Sequence, residues 1–293
     1  MKHLLPLLFL FAACDKGNSN ANPPPAPPKE RFTGTPENYL LSRPLAEASG
    51  IADSRTINEH LWVIEDGGNP ARLFLLKHDG FITDSLSLEG ATNRDWEDIA
   101  IGKGPVESQS YLYVGDIGDN NAVYSSYTIY RMPEPANFGS NITLYDKIEF
   151  VYPDGSHDAE AFLIDDDTRD IYVITKRENA SKVYKIPYPQ DTGAINQAVF
   201  VDDLPFKDVV SGTLSVNGTE LILKTYTNLY YYSRAAKEGL AVTLSRNPTD
   251  TLSYQLEPQG EAVAFANNNL GFFTLSEKGM IVANADLMFY RRN

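Results

Sequence analysis

A β-strand pattern recurs along the chain at a nearly constant interval, and this periodicity constrains the fold more than any other feature of the sequence. Short runs of Val, Ile, Leu, Tyr and Phe alternate with clusters of Gly, Asn, Asp and Pro, which is typical of strands joined by turns. A period of about fifty residues is typical of a β-propeller, in which each repeat forms one four-stranded blade. The five runs are LWVIED (61–66), YLYVGD (111–116), IYVITK (171–176), LILKTY (221–226) and FFTLSE (272–277).

A second segment, rich in small residues, precedes each of these runs. Small side chains are expected in the innermost strand of a blade, because the blades crowd together around the propeller axis. We therefore interpret the segments as the inner strands of five blades. They are EASGIA (47–52), DWEDIA (95–100), DAEAFL (158–163), VVSGTL (209–214) and QGEAVA (259–264).

The last repeat ends after its third strand, which would leave the ring with two open strand edges. The segment NYLLSRPL (38–45) precedes the first repeat and can supply the missing strand. Closure of this kind removes edges that invite pairing with other chains. We predict an all-β chain folded as a five-bladed β-propeller of four-stranded antiparallel blades, its last blade closed by an N-terminal strand. The alternatives are a six-bladed ring, if the longer second repeat contains an extra hairpin, and a β-sandwich.

The charge and cysteine content exclude several classes of protein. The chain has 293 residues with 39 acidic and 25 basic side chains, and its formal net charge is −14. This excess of acid argues against binding a nucleic-acid backbone through bulk charge. A single Cys rules out an intramolecular disulfide framework and a cysteine-rich zinc site. Hydrophobic residues make up 42% of the chain, which is enough for a globular core. We expect the protein to be a monomer.

The N-terminus has the features of an export signal. Lys2 is followed by an apolar run from Leu4 to Ala13, which is too short to span a bilayer as a helix but suits a signal peptide. The run ends in Ala12-Ala13-Cys14, which resembles the lipobox of bacterial lipoproteins, where the cysteine becomes lipidated. We predict a signal peptide at 1–13, a lipidated Cys14 with a Pro-rich disordered linker over 14–37, and the propeller domain at 38–293.

This N-terminus predicts a location at the bacterial cell envelope. The lipid would be the only membrane contact, and the protein would be periplasmic or surface-exposed on the outer membrane. Acyl chains anchor a protein by burying their CH₂ groups in the bilayer. An ordinary secretory signal with a chance cysteine is the alternative.

Four repeat motifs carry a family resemblance. They are E-x-S-G-I-A at 47–52, L-W-V followed by D-G-G-N within 61–69, D-W-E-D-I-A at 95–100 and G-D-I-G-D-N at 115–120. The pattern resembles the phytase-like and SdiA-regulated β-propellers of bacteria, and the similarity spans residues 40–292. The resemblance implies the propeller fold. The chain lacks the D-D-P-A-I-W segment of the phytases of this fold, so phytase activity is not implied.

Acidic residues recur at two positions of the aligned inner strands. Residues i and i+2 of a strand point to the same side, so both sets should gather near one mouth of the central channel. Converging carboxylates repel one another, and a divalent cation would relieve that cost. The first set is Glu47, Asp95, Asp158, Val209 and Gln259, and the second is Ser49, Glu97, Glu160, Ser211 and Glu261.

The acids of these sets are the candidate metal ligands. Oxygen ligands without paired His or Cys suit Ca²⁺ or Mg²⁺ better than zinc. We predict Ca²⁺ as the cofactor. In the alternative, each acid accepts backbone N–H bonds and holds its blade in place. The predicted metal ligands are Glu47, Asp95, Glu97, Asp158, Glu160 and Glu261.

The turns after the second strands should open at the same mouth and add further charged residues. Among them are the basic residues Lys176, Arg177 and Lys224, and basic groups beside a metal can bind a phosphate or carboxylate. In the alternative, the basic residues pair with Glu160 and Glu178. His157 is a candidate general base, or a solvent-exposed turn residue. The predicted ligand-binding residues are Asp66, Asp116, Asp119, Lys176, Arg177 and Lys224.

Two functions are compatible with these patterns. The first is a lipid-anchored propeller that binds Ca²⁺ at its mouth and there binds or hydrolyses a small anionic ligand, such as a phosphoester. As an enzyme it would be a metal-dependent hydrolase, and no residue is assigned a catalytic role. The second is a non-enzymatic scaffold that binds a protein or glycan at the cell envelope. A propeller serves both classes, so the fold alone does not choose between them.

Overall fold

The computed structural model of the protein describes residues 30–45, 47–277 and 286–293. The predicted signal peptide, Cys14 and the linker up to residue 29 lie outside the described residues. Within them, the chain forms five β-sheets arranged as the blades of a ring. The ring is closed by its innermost strands, each of which packs against the innermost strands of both neighbouring blades.

The first three blades are built from consecutive strands, counted outward from the axis. Strand β1 (Glu37–Leu40) precedes them along the chain. The first blade contains β2 (Ala48–Asp53), β3 (His60–Glu65), β4 (Arg72–Lys77) and β5 (Ile82–Ser87). The second contains β6 (Trp96–Lys103), β7 (Ser110–Asp116), β8 (Tyr127–Pro133) and β9 (Asp146–Val151). The third contains β10 (Ala159–Ile164), β11 (Ile171–Thr175) and β12 (Lys182–Ile186), and β14 (Val199–Asp203) completes it. Between β12 and β14, the short strand β13 (Asn196–Gln197) pairs parallel to β9 at the outer edge of the second blade.

The last two blades include the only helix in the described part of the chain. The fourth blade contains β15 (Val209–Leu214), β16 (Glu220–Thr225), β17 (Leu229–Ser233) and β18 (Asp250–Leu252), with α1 (Leu240–Leu244) before β18. The fifth contains β19 (Gly260–Phe265), β20 (Gly271–Ser276) and β21 (Asp286–Arg291), with β1 outermost. None of the described residues belongs to a helix long and apolar enough to cross a membrane.

The N-terminal strand closes the ring, which confirms the predicted five-bladed fold. Strand β1 pairs antiparallel with β21, and Glu37 lies opposite Phe289. Both ends of the described chain therefore contribute to the fifth blade. The six-bladed ring and the β-sandwich are wrong. The extra length of the second repeat lies in the turn between β7 and β8 and in the connection from β8 to β9.

The hydrophobic core is divided among the five junctions between neighbouring blades. Successive side chains of a strand point to opposite faces, so each strand contributes to two junctions. In β3, Leu61 and Val63 pack toward the fifth blade, whereas Trp62 and Ile64 pack toward the second. Burial on both faces explains why these strands are continuous apolar runs rather than alternating ones.

Packing against the propeller begins before the first strand. Phe32 is 3% exposed and lies in the apolar cluster between the fourth and fifth blades. Its ring meets that of Phe272 edge-on, with 5.0 Å between centroids. The backbone N–H of Thr33 donates to the carbonyl of Arg291 at 2.8 Å. The burial of Phe32 thus holds the chain on the propeller six residues before position 38, the predicted start of the domain.

Phe32→Ala should lower the free energy of unfolding by about 3–5 kcal/mol, because truncating a buried aromatic ring leaves a cavity. Denaturant unfolding of the variant and the wild type measures the difference. Leu40→Ala is the matched control, since Leu40 belongs to the same segment but is 68% exposed. Its expected effect is within about 0.5 kcal/mol. Equal losses in the two variants would show that Phe32 does not anchor this segment.

Candidate functional site

Every inner strand carries a β-bulge close to its first residue. In all five blades, the pairing between the first and second strands skips one residue there. A bulge leaves its extra residue out of the ladder and re-aims the side chain, and bulges are frequent beside functional sites. Glutamates hold most of these positions, so the bulges gather carboxylates at one end of the axis, here called the mouth. The skipped residues are Ser49, Glu97, Glu160, Val210 and Glu261.

The bulge also corrects the sequence alignment of the fourth blade. The predicted second set included Ser211, but the register puts Val210 at that position. It likewise moves Asp208 into the first set in place of Val209. The assignment was wrong by one residue, because it aligned Ser211-Gly212 with Ser49-Gly50, whereas the Ser-Gly pair of the fourth blade lies one position later relative to the bulge.

The carboxylates at the mouth form two groups that share Glu97. Oxygen atoms of Asp66, Asp95 and Glu97 lie within 4.8 Å of one another, and we call these residues the first carboxylate group. Oxygen atoms of Glu97, Asp158 and Glu160 meet the same distance and form the second carboxylate group. The structure thus brings together Asp95, Glu97, Asp158 and Glu160 of the predicted metal ligands, and adds Asp66 from the predicted ligand-binding set.

Glu97 differs from Asp66 and Asp95 because the residue is buried, and its carboxylate has no hydrogen-bond donor among the described residues. The residue is 7% exposed, and no described residue donates a hydrogen bond to it. A Cβ on Gly118 would overlap the carboxylates of Glu97 and Asp95, and a Cβ on Gly67 would overlap that of Asp95. Two glycines therefore let the backbone approach these acids closely. A buried carboxylate without a donor is costly, so the position calls for a positive partner.

Burial and mutual repulsion raise the pKa values of the first carboxylate group. Desolvation, with the charges of Glu160 and Asp66, raises the pKa of Glu97 well above its ordinary value. Desolvation and the neighbouring acids raise the pKa of Asp95 to about 6. Burial raises the pKa of Asp66 as well. These acids therefore retain protons that a bound cation would displace.

Basic side chains compensate the second carboxylate group. The ammonium group of Lys176 binds Glu160, and Arg177 Nε donates to Asp158 Oδ2 at 2.5 Å. Asp158 Oδ1 accepts the backbone N–H of Asp119 at 2.8 Å. Burial still raises the pKa of Glu160 to about 8, against the opposing charge of Lys176. The second group thus has ion-pair partners, whereas Asp66 and Asp95 of the first group, and Glu97, form no ion pair with any described residue.

A tyrosine extends this network to the fifth blade. Lys176 Nζ donates to the Tyr226 hydroxyl at 2.8 Å, and that hydroxyl donates to Glu261 Oε1 at 2.6 Å. Tyr226 was not among the predicted site residues. Its position carried the signal, because it follows the second strand of its blade directly, as Lys176 does.

The remaining predicted acids of the first and fifth blades lie outside the two groups. Glu47 is exposed at the rim of the mouth and accepts a bond from Asn69 Nδ2 at 2.5 Å. Glu261 is half-buried and shares a hydrogen bond with Glu277. Burial, with the charge of Glu261, raises the pKa of Glu277 to about 8.

Two predicted ligand-binding acids serve the turns around the mouth. Asp116 Oδ1 accepts the backbone N–H of Asp95 at 2.8 Å. Asp119 Oδ2 accepts the backbone N–H of Tyr124 and the hydroxyl of Tyr127, both at 2.8 Å. Although burial acts to raise it, these bonds lower the pKa of Asp119. Both carboxylates therefore have protein donors, in agreement with the structural alternative.

Lys224 and His157 are also committed to internal partners. Lys224 is completely buried, and its Nζ donates to Glu257 Oε2 at 2.8 Å. His157 lies between two carboxylates, with Nδ1 2.6 Å from Glu178 Oε1 and Nε2 3.0 Å from Asp154 Oδ1. The bond to Glu178 raises the pKa of His157, against the effect of burial. The histidine is therefore half-buried in an ion-pair network rather than a solvent-exposed turn residue.

Asp98 lies beneath the mouth, and the sequence analysis missed it as a distinct position. It is completely buried, and its carboxylate accepts bonds from the Ile99 N–H at 2.9 Å, the Ser211 hydroxyl at 3.3 Å and the Gly212 N–H at 3.4 Å. Ser211 and Gly212 belong to the fourth blade, so Asp98 connects β6 to β15 across the axis. Burial raises its pKa well above the ordinary value, against these bonds.

Comparison with known proteins identifies no family for this chain. No model of a known protein family matches the chain, and no curated protein matches it in sequence. One similar solved structure is a nidogen/laminin complex, with 8% identity, 78% of this chain and 72% of that chain covered, and a TM-score of 0.47. Another is a luciferin-regenerating enzyme, with 9% identity, 88% and 95% covered, and a TM-score of 0.49. Likenesses with TM-scores this low carry no conclusion about this chain, and the resemblance to phytase-like propellers stays a prediction.

Without divalent cations, the free energy of unfolding should fall as the pH rises from about 4.5 to about 8. The raised pKa values mean that the folded state keeps protons in this range which the unfolded state has released. Asp95→Asn should reduce the fall by about 1–2 kcal/mol. Denaturant unfolding in EDTA at a series of pH values measures the effect.

Glu107→Gln is the control for this pH profile. The Glu107 side chain is 78% exposed in the turn between β6 and β7, at the end of the propeller opposite the mouth. This substitution should leave the profile of the wild type unchanged. A wild-type profile without the fall, or an equal change in both variants, would contradict the electrostatic account of the mouth.

Proposed function

We propose that the mouth of the propeller binds a divalent cation, Ca²⁺, and beside it a small anionic ligand. The environment of Glu97 is the observation that carries the proposal. The residue is 7% exposed, and its carboxylate lacks a hydrogen-bond donor among the described residues and lies beside those of Asp66 and Asp95. An ionised carboxylate in such surroundings is stable only with a positive partner, and a cation supplies one.

The first carboxylate group is the better cation position. In the second group, Glu160 and Asp158 already have Lys176 and Arg177 as partners, so a cation there would have to displace a base. In the first group, Asp66 accepts only the backbone N–H of Gly67, at 2.5 Å, among the bonds that described residues make to its carboxylate. We therefore propose Asp66, Asp95 and Glu97 as the protein ligands.

The chemistry of the donors favours Ca²⁺. All three proposed ligands are carboxylates, and hard oxygen donors suit Ca²⁺ and Mg²⁺ rather than thiolate- or imidazole-binding metals. Calcium accepts irregular coordination and a mixture of protein and water ligands, whereas magnesium demands a near-ideal octahedron. Acids contributed by a strand start, a bulge and a turn form an irregular set, which fits calcium better.

Arg177 is the basic residue best placed to bind the anion. Its side chain is 49% exposed, and its bonds to Asp158 and Asn120 use Nε and Nη2, which leaves Nη1 without a partner among the described residues. Lys176 is more buried and already binds Glu160. A bound Ca²⁺ would polarise a phosphate or carboxylate oxygen. Binding is the activity we propose, and hydrolysis of a phosphoester would be its enzymatic form.

Calcium should raise the thermal stability of the wild type and not that of Glu97→Gln. Linkage predicts about 2.7 kcal/mol of stabilisation when free Ca²⁺ is a hundredfold above its Kd. The substitution removes a charge from the first carboxylate group while keeping the size of the side chain. Thermal melts in EDTA and in Ca²⁺, with calorimetric titration of Ca²⁺ into both proteins, measure the effect.

Two further variants sharpen this calcium test. Glu107→Gln changes an exposed acid outside the mouth and should respond to calcium as the wild type does. Gly118→Ala keeps every carboxylate but places a methyl group against Glu97 and Asp95, so it should weaken calcium binding. If calcium does not stabilise the wild type, the cation site is excluded. If calcium stabilises Glu97→Gln as much as the wild type, the cation binds at another site. Phosphate release from a phosphomonoester, assayed in the same samples, tests for hydrolysis.

We further propose that the protein is held at the cell envelope by a lipid on Cys14. The support is the sequence Ala12-Ala13-Cys14 after a short apolar run. Cys14→Ser should move the protein from the membrane fraction to the soluble fraction after cell lysis, because the acyl chains would be lost. Fractionation with immunoblotting measures the shift. Continued membrane association of the variant would contradict a lipid anchor.

A further inference from the structure

A second concave site lies beside the mouth, between the third and fourth blades. Its volume is about 290 Å³, close to the lower end of the range of small-molecule sites, about 300–1,000 Å³. The segment before β15 and the turn between β16 and β17 form it, and both lie at the mouth end of the propeller. The lining residues used below are Phe206, Lys207, Asp208, Tyr226, Asn228 and Tyr230.

One wall of this pocket is a pair of stacked aromatic rings. The rings of Phe206 and Tyr230 lie 3.8 Å apart between centroids, with an angle of 14° between their planes. Both residues are half-buried, although they also pack against the core between the third and fourth blades. Stacking across the blade junction holds the two rings face to face, so their inner faces cover each other and the rigid pair presents an outer ring face to a ligand.

Polar side chains of the pocket keep hydrogen-bonding capacity. Asn228 Nδ2 donates to Thr227 Oγ1 at 2.9 Å, and the amide oxygen of Asn228 has no donor among the described residues. Asp208 and Lys207 approach each other at 3.4 Å, and their side chains are 45% and 59% exposed. An exposed ion pair of this kind contributes little to stability, so these groups are free to exchange partners with a ligand.

Tyr226 connects the pocket to the mouth. It lines the pocket, and its hydroxyl bonds Lys176 and Glu261 at the mouth, at 2.8 and 2.6 Å. A ligand that occupied both places would meet an apolar wall and hydrogen-bonding groups at one end. At the other end it would meet the charged groups of the mouth.

We propose that this pocket binds the saccharide ring of the anionic ligand, so that the ligand class is an acidic saccharide. A sugar ring presents C–H groups on its face and hydroxyl groups around its edge, which matches a flat aromatic wall bordered by an amide, a carboxylate and an ammonium group. A purely aromatic ligand would use the wall and leave these polar groups without partners. The anionic substituent of the ligand rests on the proposed function, whereas the sugar-binding part stands on the pocket alone.

The test compares glucuronate, acetate and neutral methyl glucoside as probes of the wild type in Ca²⁺. Saturation-transfer NMR and calorimetry report binding and affinity. Glucuronate should bind more tightly than acetate, and methyl glucoside should give a signal by itself. Phe206→Leu, which keeps apolar bulk, and Asn228→Ala should each weaken glucuronate binding about tenfold. Both variants should leave the affinities for acetate and for Ca²⁺ unchanged.

Phe81→Leu is the matched control, because Phe81 is an aromatic residue 55% exposed in the turn between β4 and β5, at the opposite end of the propeller. It should bind all three probes as the wild type does. Equal affinities for glucuronate and acetate in the wild type, or an unaffected Phe206→Leu, would overturn the sugar pocket. Failure of the calcium site alone would instead abolish acetate binding and leave the methyl glucoside signal intact.

Discussion

The crowding of five inner strands around one axis is the constraint on which the rest of the structure depends. Gly50 shows how little room is left, because a Cβ there would come within 2.7 Å of the backbone nitrogen of Ile99. Large apolar side chains therefore turn into the blade junctions, where the core lies. Polar side chains of the inner strands lie at the ends of the axis. The bulge in each inner strand turns one residue out of the ladder at the mouth end, and glutamates hold most of those positions.

Two neighbouring acids of β6 show that this crowding has opposite electrostatic outcomes. Asp98 finds donors on its own strand and on the fourth blade, so its carboxylate ties the ring together across the axis. Glu97 is nearly as buried, yet it finds no donor among the described residues and has acids for neighbours. An acid whose lone pairs are satisfied by the protein serves the architecture. An acid left with other acids, as Glu97 is, depends on a positive partner that none of the described residues supplies.

The sequence predicted the architecture well because a propeller repeats its apolar pattern in every blade, so that ambiguity in one blade is resolved by the others. The missing strand of the last blade then identified the N-terminal segment. The site was predicted only in part, because the Ser-Gly pair of the fourth blade lies one position later than that of the first, and aligning the two pairs displaced the fourth blade by one residue. Lys224 was assigned to the mouth, yet its position in β16 turns it inward to Glu257, 33 residues later in the chain. Contacts of that kind depend on how blades pack, which a pattern within one blade does not contain.

The way in which β1 enters the fifth blade determines at which end of the propeller the N-terminal segment lies. Strand β21 runs away from the mouth, and β1 runs antiparallel to it, so the segment around Phe32 lies at the far end of the axis. An anchor attached to the chain before Glu30 would therefore be connected to the face of the propeller opposite the carboxylates. If the proposed lipid anchor holds the chain there, the membrane lies on the side of the propeller opposite the mouth, and a solute can reach the carboxylates without passing between the propeller and the bilayer.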